Sequence, residues 1–419
     1  MIKKLALILI PRIPALAAIT LISILLAVGT HVRGTLPAAW EAFGIVSNTL
    51  SFEDLRGVTH SIDCVNAGQD PYSVRSFDPW HRLYNYPPIW LGLGHLGVTS
   101  RTTNLIGVGL ALVTIAALLT LFTASNWISR MVVFLALLGW PMLFAIERGN
   151  VDLVVFSASI FGFLWLQELR EPYRHVGRAV LIVSLTILKI YPIAMVTVFV
   201  RGSRGWLRAG TVAIICAIAL LLTCGHRLHA VLTNTPQVTN WRSFGSYVLA
   251  AFLQRHLFPN PSSQITAHLH RIGSVTAALV GASAAVYGAL KQQQVSKILP
   301  SLDVRTGTGA IAVAGLSVYC FVFVMGANFD YRLIFLLAPL GWLVRDLSSA
   351  NSLRALPVSI LLVTYLLSFY LDRLAVSEMF EPIVFILASG WLGCSLLPRS
   401  IPKLKRVRFG LHVTSITSA

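Results

Sequence analysis

Apolar stretches long enough to cross a lipid bilayer follow one another along nearly the whole chain, and soluble domains do not carry such runs in succession. Spans are expected at residues 13–30, 104–122, 131–146, 151–166, 179–200, 207–223, 272–290, 310–325, 333–344, 356–371 and 382–397. Segments 88–98 and 244–257 are too short or too polar for clean spans and read as re-entrant or interfacial pieces. The expected fold class is an all-α polytopic membrane protein of about twelve transmembrane helices. No linker, repeat or low-complexity run divides it, so 1–419 is read as a single integral-membrane domain.

Charge fixes the expected orientation. Lys3, Lys4 and Arg12 stand at one end and Arg399, Lys403, Lys405, Arg406 and Arg408 at the other. The positive-inside bias puts both termini, including a basic tail over 398–419, in the cytoplasm of a multi-pass plasma-membrane protein, with an even number of crossings. The clusters Arg170, Arg174, His175, Arg178 and Arg201, Arg204, Arg208 also read as cytoplasmic. They flank residues 179–200, so both assignments hold only if that segment enters and returns as a broken hairpin. The formal charge of +17 does not imply nucleic acid, because the cations are spread over short loops with no basic domain. The first span starts like a signal peptide but lacks a small-residue cleavage site, and is read as a retained anchor.

The exception to the apolar pattern is residues 31–86, the first extracytoplasmic loop on this topology. It is long and aromatic-rich, with six acidic residues against four Arg and Lys. Ser51-Phe52-Glu53-Asp54 reads as a helix start with Ser51 as N-cap, and Gly68 as its stop. Leu55, Val58, Ile62 and Val65 fall on one face, so the helix is amphipathic and suited to the membrane surface. A turn Gln69-Asp70-Pro71-Tyr72 follows, then Trp80, His81, Arg82 and Tyr84, and Tyr86-Pro87-Pro88 at the return to the membrane.

This arrangement resembles glycosyltransferase family 87, membrane transferases of GT-C fold that use polyprenyl-phosphate sugars. The resemblance rests on Asp54, on Gly68-Gln69-Asp70-Pro71-Tyr72 and on Tyr86-Pro87-Pro88. It extends to Arg148-Gly149-Asn150-Val151-Asp152, similar to an R-G-Q/N-x-N/D element, to Leu188-Lys189-Ile190-Tyr191-Pro192, and to Asn328-Phe329-Asp330-Tyr331-Arg332. Asp152 departs from the commoner Asn. The resemblance implies inverting transfer of a hexose, mannose by analogy, from a polyprenyl-phosphate donor to a lipid or glycan acceptor at the extracytoplasmic face, with no nucleotide sugar and no cofactor.

An attacking hydroxyl must lose a proton, which calls for a carboxylate in reach, and Asp54 is the candidate base. The alternative is that Asp54 only caps its helix. Asp63 reads as a solvated helix residue, and Asp70 as a turn former beside Tyr72. The leaving phosphate needs charge stabilisation, for which Lys189, Arg148 and Arg332 are candidates. Lys189 within an apolar run is the sharpest, its alternative being a snorkelling helix end. For Arg148 beside Glu147 and Arg332 beside Asp330 the alternative is a local ion pair that settles a loop. Tyr72, Tyr86, Asn150, Asp152, Asn328 and Asp330 complete the candidate substrate-binding set. Residues 224–271 hold no Asp or Glu but many His and Arg, suiting lipid or donor phosphate. His226 with His229, or His268 with His270, lack the partners of a metal site. Trp80, Tyr84, Tyr86 and Trp241 read as interface anchors or sugar-stacking rings. The five cysteines show no CxxC spacing, and a Cys64–Cys224 disulfide is one option outside the membrane. A transporter or flippase of lipid-linked saccharides is the rival reading; it would favour paired discontinuous helices and lacks a use for the acidic loop.

Overall fold

The computed structural model describes residues 9–202, 204–236, 243–257, 263–349, 353–374 and 376–396. Trp241, Arg242 and the tail over 398–419 lie outside the described residues, as do Lys3 and Lys4. Among the described residues six helices are long and apolar enough to cross a membrane: Ile10–Arg33, Ser100–Leu121, Gly205–Cys224, Gln264–Leu290, Gly307–Met325 and Val376–Leu396. Among the described residues this all-α polytopic bundle carries one strand pair, Ser243–Phe244 against Asn328–Phe329.

Several expected spans are shorter or interrupted, each for a local reason. Residues 131–146 fall in two helices, Trp127–Leu137 and Trp140–Arg148, bent by 42°. Gly139 and Pro141 sit at the junction, and proline cannot continue the preceding hydrogen-bond ladder. The expected span 333–344 divides into a 3₁₀ turn, Asp330–Leu336, and a helix, Leu337–Ser348. Segment 244–257 enters as the strand and continues as a helix, Ser246–Leu257, and segment 88–98 is a 3₁₀ helix, Pro88–Leu96.

Residues 179–200 form a hairpin. The helix Tyr173–Leu188 stops at Lys189, whose backbone is extended, and the 3₁₀ helix Tyr191–Phe199 follows. Pro192 accounts for the stop, because its ring would clash with the Leu188 carbonyl and it has no N–H to give. Both legs root in the same place. Arg178 Nη1 donates to the Val304 carbonyl at 2.7 Å and Arg174 to that of Arg305 at 3.4 Å, while Arg201 pairs with Asp303 at 3.0 Å. The two basic clusters therefore share one end of the bundle. Contacts at that end join the start of the described chain to its finish: Arg12 to the Leu119 carbonyl, Ser125 to Ser348, Arg345 to Thr308, and Leu302 to Ser395.

At the other end stands the loop helix, Glu53–Asn66. Its cap differs from expectation: Ser51 does not cap it, and the preceding residue is Phe52 with a left-handed backbone (φ +61°) and no side-chain cap. Gly68 does close the helix with φ +73°, its N–H reaching the Val65 carbonyl. Leu55, Val58 and Ile62 are buried but Val65 is exposed. The apolar face packs on Pro88–Leu96 and on the start of Thr103–Leu121. Asp63 is tied down, accepting from the Ser100 N–H at 3.2 Å. Cys64 and Cys224 are both buried free thiols, so the disulfide option falls.

Candidate functional site

The loop helix starts where it does because Phe52 is wedged. Its N–H donates to the Glu147 carbonyl at 2.9 Å, and its ring lies so close to Gly107 that a Cβ there would meet it at 2.5 Å. Gly149 (φ +57°) allows the same close approach from the other side; a Cβ would stand 3.1 Å from Phe52 Cβ and 3.2 Å from Leu55 Cβ. The two glycines thus seat the residue that sets the position of Glu53 and Asp54.

Both carboxylates are held. Glu53 receives Arg82 Nη1 at 2.9 Å and also Arg148 Nη1 and Asn48. Asp54 Oδ1 lies 3.5 Å from Arg82 Nη1, and Asp54 Oδ2 accepts from Asn150 Nδ2. Arg82 also forks onto Asp78 at 3.0 Å and lies 4.9 Å from the centre of the Trp80 ring. Burial, the strongest influence, pushes the Asp54 carboxyl above the ordinary carboxylate range, against the opposing pull of Arg82 and of the Asn150 hydrogen bond.

From Asn150 the network continues inward. Asn150 Oδ1 accepts from the Asp152 N–H at 2.8 Å and from Lys189 Nζ at 3.3 Å. Lys189 pairs with Asp152, and Asp152 Oδ2 lies 3.4 Å from Arg332 Nε. Arg332 in turn donates to Asn328. Lys189, at the tip of the hairpin, is therefore a buried ion-paired residue and does not snorkel. Asp152 supplies the counter-ion. Arg332 turns to Asp152 and Asn328, while Arg148 spans Glu53 and, at 3.6 Å, Glu147. Tyr86 lies under Lys189, with its ring centre 5.2 Å from Nζ.

A polar cavity of about 150 Å³ opens beside Asp54, bounded by Glu53, Arg82, Tyr86, Arg148 and Tyr331 among others. Of the candidate residues, Asp54, Tyr86 and Arg148 line it, whereas Asn150, Asp152, Lys189, Asn328 and Arg332 lie behind it, and Asp70 and Tyr72 stand apart. Asp70 makes the expected turn, accepting from the Tyr72 N–H at 3.1 Å, and pairs with Arg227 at 2.7 Å. Tyr72 supports the site by donating to the Tyr86 carbonyl at 2.8 Å. Asp330 is fully buried at the start of its 3₁₀ turn and is not a cavity residue. A second cavity, of about 580 Å³, lies across the loop helix and is apolar, lined by Leu55, Val58, Trp90, Leu110, Val154 and Phe161 among others. Among the described residues no group of three or more His, Cys, Asp or Glu side chains is placed to hold a metal ion. His268 bonds to the Gln264 carbonyl and His270 stacks on Tyr247.

A sequence model of glycosyltransferase family 87 matches residues 84–302, just over half of the chain. The chain belongs to glycosyltransferase family 87. No curated protein and no solved structure matches it. Within the matched part of this family 87 glycosyltransferase lie Tyr86, Arg148, Asn150, Asp152 and Lys189; Asp54, Asp70, Tyr72, Asn328, Asp330 and Arg332 fall outside it. The structure nonetheless brings Asp54, Asn150, Asp152, Lys189, Arg332 and Asn328 into one connected set. Sequence reasoning did not single out Arg82, Glu53 or Phe52. Adjacent carboxylates at 53 and 54 were visible in the sequence, but nothing in it marks Arg82 as their shared partner from the far side of the loop.

Proposed function

We propose that this glycosyltransferase moves one hexose, mannose by family resemblance, from a polyprenyl phosphate to a hydroxyl of a lipid or glycan acceptor at the extracytoplasmic face, with inversion. The observation that carries the reading is the loop helix as a partition. Asp54, Gly57 and Ser61 face the polar cavity, while Leu55, Val58 and Thr59 face the apolar one. A substrate with a sugar at one end and a hydrocarbon chain at the other fits such a divided site. The apolar cavity also meets the exposed face of Thr103–Leu121, where Val113 is half exposed, which gives a hydrocarbon chain a path from the bilayer.

In the proposed reaction Asp54 takes the acceptor O–H proton as the oxygen attacks the anomeric carbon. The bond from that carbon to the phosphate oxygen breaks, and its electron pair leaves with polyprenyl phosphate. A carboxylate already biased toward holding a proton suits this task. Lys189 and Arg332 both pair with Asp152, two positive charges to one negative, and Arg332, next to the cavity-lining Tyr331, is our candidate to meet the departing phosphate. The test is incubation of the purified protein with labelled polyprenyl-phosphate-mannose and a membrane lipid extract, with labelled nucleotide sugars in parallel. Transfer from the lipid-linked donor alone is expected; transfer from a nucleotide sugar alone refutes the lipid-donor mechanism.

A further inference from the structure

Lys189 is too well matched by Asp152 to be read simply as a phosphate contact, and its second partner suggests another task. We infer that Asn150 is a positioning residue for Asp54, and that Lys189 helps aim the Asn150 donor at it. The inference rests on the reading of Asp54 as the base.

The Asn150 side chain has one acceptor and one donor end, and the structure commits both. The oxygen takes the Asp152 N–H at 2.8 Å and Lys189 Nζ at 3.3 Å, which leaves the NH₂ to face Asp54 Oδ2. A flipped amide would set its NH₂ against an ammonium and an N–H, and its oxygen against a carboxylate, so every contact would turn unfavourable. Lys189 and the Asp152 N–H thereby lock the donor toward Asp54. Asn150 is completely buried, so water does not substitute for either end. With Oδ2 engaged by the amide and Oδ1 leaning on Arg82 at 3.5 Å, the carboxylate is fixed in rotation beside the cavity.

A purely structural role would use only half of this side chain. The Asp152 N–H to Asn150 Oδ1 bond opens the helix Asp152–Leu166, and any acceptor at position 150 would serve it. Asn150→Asp separates the two roles, since it keeps the acceptor and loses the donor. The groups that face Asp54 are Arg82 from the loop, Lys189 from the hairpin tip, Asp152 and Glu147 from the flanking helices, and the Tyr86 and Tyr331 hydroxyls.

The test reads Asp54 directly by infrared titration of its carboxylic C=O band in detergent, identified by difference against Asp54→Asn. It needs no substrate. Removing a donor to the ionised form favours the proton, so Asn150→Ala should move the midpoint upward by about one pH unit or more and Asn150→Asp further still, since it also sets a second carboxylate against Asp54, while Asn150→Gln stays near wild type. Lys189→Met should also shift it upward. The double variant Asn150→Ala, Lys189→Met should shift it further than Asn150→Ala alone, because the Lys189 charge also acts on Asp54 through space. An unmoved midpoint in Asn150→Ala, or a midpoint in Asn150→Gln displaced as far as in Asn150→Ala, would remove the positioning role and overturn the inference. With labelled polyprenyl-phosphate-mannose as probe, Lys189→Met should lower kcat by about 10²-fold with donor KM held within twofold. A raised KM with kcat preserved would return Lys189 to the phosphate. If Asp54→Asn retains turnover, the base assignment fails, and the titration still reports on the contact. Should Asn150→Ala not fold, Asn150→Asp, Asn150→Gln and Lys189→Met carry the test.

Discussion

Replacing Asp54 by Asn separates chemistry from architecture. The amide retains an oxygen to accept from Asn150 but no longer takes a proton, so transfer should fall by the worth of a general base, about 10² to 10⁴ in rate, or about 3 to 5 kcal/mol in the barrier. Stability should scarcely move. The Arg82 contact that is lost spans 3.5 Å, while Arg82 keeps Glu53 at 2.9 Å and Asp78 at 3.0 Å. The helix start depends on Phe52 and its two glycines and not on this carboxylate. A change within about 1 kcal/mol is expected. The assay is the initial rate of labelled-sugar transfer beside a thermal melt in detergent. Turnover within a few-fold of wild type refutes the assignment. Lost activity with a collapse of Tm refutes the separation, and makes Asp54 a structural residue.

Because burial raises the Asp54 carboxyl, the acidic limb of the kcat/KM profile should lie above the ordinary carboxylate value of about 3.9. Activity is lost as pH falls through that raised value. The sign for stability is opposite: the folded state holds this proton more tightly than the unfolded chain, so the contribution is full below the unfolded pKa and is lost as pH rises through the folded one, a dependence absent from Asp54→Asn in melts against pH. Gly149→Ala should cost about 1 to 2 kcal/mol by its left-handed backbone, and should lower transfer as well, since the new methyl presses on Phe52 and Leu55. Asp70→Ala should cost under about 1 kcal/mol in the same melts, because both partners of the Arg227 pair are about a third exposed. Single cysteines at Gln69 and Lys297, in a background without the native five, should react differently with an impermeant maleimide on intact cells, Gln69 labelled and Lys297 protected; the reverse pattern would place Asp54 on the cytoplasmic face.

The membrane class and most helix positions were legible because apolar runs of bilayer length have few other uses. The interruptions were less legible, since Pro141 and Pro192 stand within apolar runs that otherwise look continuous. Basic residues on both sides of 179–200 did pose the hairpin as a condition, and the roots at residues 303–305 meet it. Ser51 misled because a serine three residues before an acid has the look of a cap, whereas packing of the Phe52 ring between two glycines overrode that local preference. Val65 keeps the helical spacing of its neighbours but lies beyond the elements that cover them. For the site, motif order brought Asn150, Asp152, Lys189 and Arg332 forward as separate candidates. Their connection through one amide, and the convergence of Glu53, Asp54 and Asp78 on Arg82, depend on long-range packing that no local pattern encodes.

The hairpin also works as a ruler. Its helix Tyr173–Leu188 has 16 residues and so spans about 24 Å, somewhat less than the about 30 Å of hydrocarbon in a bilayer. With arginines at its root, it carries Lys189 about 24 Å from that end of the bundle, a reach that would suit the phosphate of the proposed lipid-linked donor. Helix length thus sets the depth of the chemistry, and one added turn would lift the tip by about 5 Å, past the carboxylate it serves.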